Sequence, residues 1–243
     1  MAKAKPKQRA GAHYLRASRS LAASYVLVMP LFALYQVGLV FDPSVRNGTA
    51  PIFREFLHRF SHLGLVVVNL VLLGLLCLAI WRTRSRRRDR TGLYGLMVLE
   101  ACAWTALMVL VAKFVVPHLL ELPRMLALSP TAQKAFAFIG AGIYEEVLFR
   151  LLLMGGLVLV FQRGLGGHPG WVVPLAVVAS SVVFSWAHHA LGGEPYDRDV
   201  FLYRAVMGGV LGTIFWFRGL GIVVYVHALY NMSLLPWLPT PSP

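Results

Sequence analysis

Gly140-Ala141-Gly142-Ile143-Tyr144-Glu145-Glu146-Val147-Leu148-Phe149-Arg150 places two carboxylates and a guanidinium inside an otherwise apolar stretch, residues 134–161. A membrane-spanning helix needs about 20 mostly apolar residues, and this stretch supplies them. Each ionised group at a span centre costs about 2.5 to 3.5 kcal/mol on insertion scales, so three facing lipid approach about 8 to 10 kcal/mol. The helix must therefore turn these side chains toward a protein interior or a wet cavity, which requires other helices around it. Similar apolar stretches recur near residues 21–41, 62–81, 93–117, 171–191, 200–217 and 219–238. The expected fold is all-α, a polytopic transmembrane helical bundle of about seven spans, with about six to eight compatible with the pattern.

Composition agrees. Of 243 residues, 58% are apolar and only 14% charged, which excludes an ordinary water-soluble enzyme. The net charge of +13 is unevenly placed: Lys3, Lys5, Lys7, Arg9, Arg16 and Arg19 crowd the start, and Arg82, Arg84, Arg86, Arg87, Arg88 and Arg90 the middle. Each cluster abuts an apolar run, the pattern that marks cytoplasmic segments under the positive-inside rule. The charge thus reads as topology, with the N-terminus cytoplasmic and the lipid bilayer as partner. No base-reading motif accompanies it, so no nucleic-acid partner is expected. Cys77 and Cys102 sit in apolar runs as small hydrophobes. The Arg-rich, Lys-poor composition resembles that of proteins from GC-rich bacteria and points to a bacterial plasma (inner) membrane.

The chain then divides into a basic cytoplasmic tail (1–20), N-terminal spans (21–130), a catalytic transmembrane core (131–238) and a Pro-rich end (239–243). The first apolar run is too long for a cleaved signal and reads as a retained anchor. Residues 51–60 alternate as an amphipathic helix lying in the interface, and 82–90 form a basic inside loop. Loop parity puts 42–61, 118–133 and 188–199 outside.

Helix geometry separates the jobs of the three charges. Glu146 and Arg150 are four apart with the acid nearer the N-terminus, the favourable order for an ion pair. Glu145 is rotated by about 100° and finds no basic partner on its own helix. It is therefore available for chemistry or for a partner on another span. Phe184-Ser185-Trp186-Ala187-His188-His189 ends the fifth stretch, and His227-Ala228-Leu229-Tyr230-Asn231 lies in the seventh, with His227 and Asn231 on one face. Buried imidazole and amide groups require hydrogen-bond partners. Polar groups from three spans at a similar outer-half depth imply one shared site.

Glu145-Glu146-x-x-x-Arg150, Phe184-x-x-x-His188 and His227-x-x-x-Asn231, in that order on successive apolar spans, resemble the three motifs of the CPBP family of CAAX protease and bacteriocin-processing (abortive infectivity) intramembrane endopeptidases. The resemblance covers residues 130–236. It implies a glutamic-type peptidase in which Glu145 deprotonates water, His188 holds that water, and His227 and Asn231 donate to the oxyanion. Glu146 and Arg150 support the helix and the local field. No cofactor or metal is implied, and the substrate is a membrane-anchored protein or peptide, cut near its C-terminus. The resemblance leaves open which: a prenylated protein, a secreted peptide or a C-terminal sorting helix.

Other readings stay open. Glu145, His188 and His227 form the donor set of a His2Glu zinc peptidase, although the HExxH pattern is absent. Ser185 and His189 are four apart, the spacing of a nucleophile and base on one helix face in a rhomboid-like serine peptidase, without a GxSG sequence. Intramembrane Glu, Arg and His also suit a transporter or a peptide-binding immunity protein. Glu100 reads as a paired structural acid, His189 as a neighbour of the site, and Gly208 and Gly212 as a ridge for close helix packing.

Overall fold

The computed structural model describes residues 6–41, 91–116, 132–190 and 195–234, with single helical positions between 67 and 81. The expected interfacial helix 51–60, the basic loop 82–90, much of the span 62–81, nearly all of the loop 118–133 and the end 239–243 lie outside the described residues.

Among the described residues every element is helical. A short helix α1 (Pro6–Ser18) precedes α2 (Leu21–Phe41). Then come α3, α-helical over Thr91–Leu110 and π-helical over Val111–Val115, and α4, a continuous rod spanning 132–164. Last are α5 (Pro169–Ala190), α6 (Arg198–Arg218) and α7 (Leu220–Ser233). Among the described residues, four segments are long and apolar enough to cross a membrane: Leu21–Gly38, Gly92–Val115, Pro169–Ala190 and Arg198–Arg218. These follow the expected spans to within a few residues. The chain is an integral membrane protein.

Helix α7 departs from its expected span, 219–238. It has 14 residues and so rises about 21 Å, less than the hydrocarbon thickness of about 30 Å. Pro236 follows in the sequence and disfavours helix at the residue before it. What α7 lacks in length it makes up in burial. Ile222, Val223, Val224, Val226 and Ala228 are wholly buried, because α2, α3, α4 and α6 all pack against it. A helix that is apolar all round belongs inside a bundle, and α7 is its central post.

Two local features fix that post. Gly219 joins α6 to α7 at φ 82° and ψ 177°, a conformation essentially reserved for glycine, and a Cβ there would lie 3.1 Å from the Arg19 backbone. At the start of α6, Asp197 accepts hydrogen bonds from the amides of Asp199 (2.9 Å) and Val200 (3.0 Å), capping the helix.

Beneath the α6–α7 turn lies a polar clasp. Arg218 pairs with Glu100 of α3, its Nη2 lying 2.6 Å from Oε2, and donates to Ser18 Oγ at 3.2 Å. Tyr14 Oη and Trp104 Nε1 also donate to Glu100, at 2.5 and 3.1 Å. Burial, then the Glu100 carboxylate beside it, pushes the Tyr14 hydroxyl up to about 12. Glu100 is thus the paired structural acid of the sequence reading, holding α1, α3 and α6 together.

The Gly208 and Gly212 ridge packs as expected. Gly208 faces Ser181 and Phe184 of α5, and Gly212 faces Val177. This close contact sets α5 beside α6 and brings Phe184 and His188 toward the charged turn of α4.

Candidate active site

Rod α4 is α-helical over Ala132–Glu145, π-helical over Glu146–Met154, α-helical over Gly155–Leu159 and π-helical over Val160–Gly164. The change from α to π falls between the two glutamates. Such widened turns often mark functional sites, since they re-aim side chains at a cost in hydrogen-bond geometry. The rod meets α7 at Gly142, where a Cβ would lie 3.0 Å from the Ala228 backbone nitrogen. That close approach brings the glutamates against His227.

Glu146 and Arg150 form the expected ion pair, Nε to Oε2 at 3.3 Å, and both side chains are wholly inaccessible to solvent. Arg150 also donates from Nη2 to the Gly208 carbonyl at 3.2 Å and lies over the Phe184 ring, 4.7 Å from its centroid. The guanidinium therefore ties α4 to both α5 and α6. A buried charge is tolerable only with such partners.

Glu145 occupies the position from which both histidines are reached. Its Oε1 lies 3.8 Å from His188 Nε2 and its Oε2 3.7 Å from His227 Nε2, with the carboxylate only 5% exposed. The other ring nitrogens are anchored. His188 Nδ1 is 2.9 Å from the Phe184 carbonyl one turn back, and His227 Nδ1 is 2.7 Å from Glu146 Oε1. Asn231, one turn beyond His227, is half-buried.

The structure thus brings Glu145, Glu146, Arg150, His188 and His227 into one cluster, with Asn231 on the adjoining turn. One part of it was legible in the sequence only as a spacing, and one was not legible at all. Phe184 sits against Arg150 and both histidines, its ring centroid 4.8 Å from that of His188 and 6.2 Å from that of His227. Its i, i+4 spacing to His188 was a signal for it. The Glu146–His227 bond joins residues 81 apart in sequence, and nothing in local periodicity indicates it.

The site geometry also bears on the other readings. Ser185 Oγ donates to the Phe201 carbonyl at 2.6 Å, while His189 Nδ1 bonds the Pro195 carbonyl at 3.1 Å, so the two do not form a nucleophile–base pair. Among the described residues no group of three or more His, Cys, Asp or Glu is arranged to hold a metal ion.

No curated protein and no solved structure matches the chain. Residues 127–233 match the family described as type II CAAX prenyl endopeptidase Rce1-like, and this segment contains the whole cluster. Residues 127–233 are thus similar to the Rce1-like family of CPBP peptidases, a likeness that implies membrane endopeptidase activity; a peptidase of that family would act on a membrane-anchored protein substrate.

Proposed function

We propose that the chain is an intramembrane glutamic endopeptidase whose general base is Glu145. The observation that carries this reading is the convergence of His188 Nε2 and His227 Nε2 on the two oxygens of one buried carboxylate. Both separations exceed a direct hydrogen bond and are short enough for a single water to touch the carboxylate and a ring nitrogen together. Glu145 takes a proton from that water while its oxygen adds to the scissile carbonyl. The same carboxyl then returns the proton to the departing amine, so the glutamate ends as it began. His188, fixed through Nδ1 on the Phe184 carbonyl, presents Nε2 to the water and steers its proton.

The oxyanion needs donors. In this reading His227 and Asn231, four apart on α7, supply them, and a preorganised donor in a dry site lowers the barrier by about 2.7 to 4 kcal/mol. Arg150 holds Glu146, and Glu146 holds His227.

The substrate we infer is an exported protein with a membrane-embedded C-terminal segment, cut near that end. The basis is topology: a cytoplasmic basic N-terminus puts the site in the outer half of a bacterial plasma membrane. The test is to replace the chromosomal gene with Glu145→Ala and Glu145→Gln alleles. Cells carrying either allele, like a deletion strain, should retain uncleaved C-terminal segments on surface proteins. Normal processing in both would remove Glu145 from the mechanism.

A further inference from the structure

Helix α5 presents one uninterrupted exposed stripe: Trp171, Leu175, Val178, Val182 and Trp186, each about a turn beyond the last. Three aliphatic side chains thus lie between two tryptophans, whose amphipathic rings favour the headgroup level of a bilayer. The tryptophans are fifteen residues apart, a rise of about 22 Å, against about 30 Å for the hydrocarbon of an ordinary bilayer. Any tilt of the helix shortens that interval further along the membrane normal.

Neighbouring helices repeat the interval. Gly212 faces Val177 and Gly208 faces Ser181, so α6 runs antiparallel to α5, with Arg204 near the level of Trp186 and Arg218 near that of Trp171. Fourteen residues separate the two arginines, about 21 Å of helix. The Trp171 ring also meets Phe161 of α4, two residues before the exposed Arg163. Helix α7, with 14 residues, has the same short rise. Helix α3 differs: its apolar segment Gly92–Val115 has 24 residues and rises about 35 Å. On it, Leu96 and Leu99 are exposed before Glu100, the partner of Arg218, so the apolar surface there continues past the level at which α6 ends. The short interval therefore belongs to the α5–α6 side of the bundle. That side also carries the site. Phe184 and His188 lie two residues to either side of Trp186, and His188 Nε2 is 3.8 Å from Glu145.

We propose that the bilayer thins to about 22 Å of hydrocarbon where it meets α5 and α6, which sets the Glu145 cluster at headgroup level. Lipid adapts to a short apolar surface in this way, and the headgroup layer supplies the water that a hydrolytic site consumes. The substrate bond is then one at the edge of an apolar segment. In mid-span a peptide carbonyl is committed to its helical hydrogen bond, because no water replaces that bond in hydrocarbon, whereas at the edge it is free to enter the site. The substrate half of the proposal rests on the peptidase reading above and narrows it.

The test uses the wild-type protein with fluorinated tryptophan, in dioleoylphosphatidylcholine nanodiscs. The fluorine signals of Trp171 and Trp186 are identified by their loss in Trp171→Phe and Trp186→Phe. The discs are then doped with lipid carrying a spin label either on the headgroup or at mid-chain. Both signals should be broadened away by the headgroup label and persist with the mid-chain label. Loss of either signal to the mid-chain label, with persistence beside the headgroup label, overturns the thinning. The cut is mapped by mass spectrometry on a surface protein that wild-type cells process and a deletion strain does not. It should fall at the edge of the apolar C-terminal segment, and a cut in the middle of that segment overturns the surface-level bond. The fluorine signals need no catalysis. Headgroup-level tryptophans together with normal cleavage by Glu145→Gln leave the thin bilayer standing and remove the peptidase mechanism. Mid-chain tryptophans with an inactive Glu145→Gln do the reverse.

Discussion

Replacing Arg150 by Met removes a wholly buried charge that ties three helices together while keeping a flexible, unbranched side chain. Three contacts go at once: the 3.3 Å pair with Glu146, the 3.2 Å bond to the Gly208 carbonyl and the stacking on Phe184. Stacking on an aromatic ring contributes about 0.5 to 2 kcal/mol, and a hydrogen bond from a charged group about 1.5 to 3 kcal/mol. The larger consequence is a wholly buried Glu146 carboxylate that has lost its cation, and breaking a buried pair from one side costs about 3 to 5 kcal/mol. We therefore expect Arg150→Met to lose about 3 to 5 kcal/mol in reversible unfolding of the detergent-solubilised protein. The double variant Glu146→Gln/Arg150→Met should recover about 2 kcal/mol of that, since it no longer strands a charge, while remaining inactive because His227 has lost its anchor. A loss below about 1 kcal/mol in the single variant, or a double variant as unstable as the sum of the two singles, would refute the argument that the pair is buried and coupled.

Asn231→Ala, on a half-buried side chain, should leave the fold intact and reduce the turnover of substrate by about 100-fold to 1,000-fold with little change in KM, measured by single-turnover cleavage. In the clasp, the folded protein raises the Tyr14 hydroxyl to about 12 from an ordinary 10. The stability this group contributes is full below about pH 10 and fades as pH rises toward about 12, because the unfolded chain ionises first. A tyrosinate absorbance titration of wild type minus Tyr14→Phe should accordingly show its step near 12, and a step near 10 would contradict the buried contact. Gly219→Ala should destabilise the protein, as both its backbone conformation and its 3.1 Å approach to Arg19 exclude a Cβ. Thermal unfolding would show it.

The apolar runs made the spans legible because length and hydropathy are local properties of the chain. Leu21–Phe41, Pro169–Ala190 and Arg198–Arg218 lie within about two residues of their expected ends. Helix α7 was overestimated because Leu234 and Leu235 continue the apolar pattern beyond the point where the helix ends. In the site, the i, i+4 pair Glu146–Arg150 followed from spacing alone, since both members share one helix. The bond from Glu146 to His227 did not, because it depends on how close Gly142 lets α4 approach α7. The π turn beginning at Glu146 was equally invisible, for the Val147–Met154 sequence reads as ordinary helix. Phe184 was legible as the first residue of the Phe184-x-x-x-His188 motif, but its place beside Arg150 and both histidines depends on how α5 packs against α4.

The central claim is that one carboxylate, Glu145, activates the attacking water without a metal. Its most direct test is cleavage in proteoliposomes of a surface protein whose C-terminal segment is retained in the deletion strain, with wild type and Glu145→Gln side by side in excess chelator. Wild type should cut at its full rate with no stoichiometric metal bound, and a folded Glu145→Gln protein should be slower by at least about 1,000-fold. Cleavage by Glu145→Gln near the wild-type rate, or loss of wild-type activity on chelation with recovery on adding zinc, would contradict it.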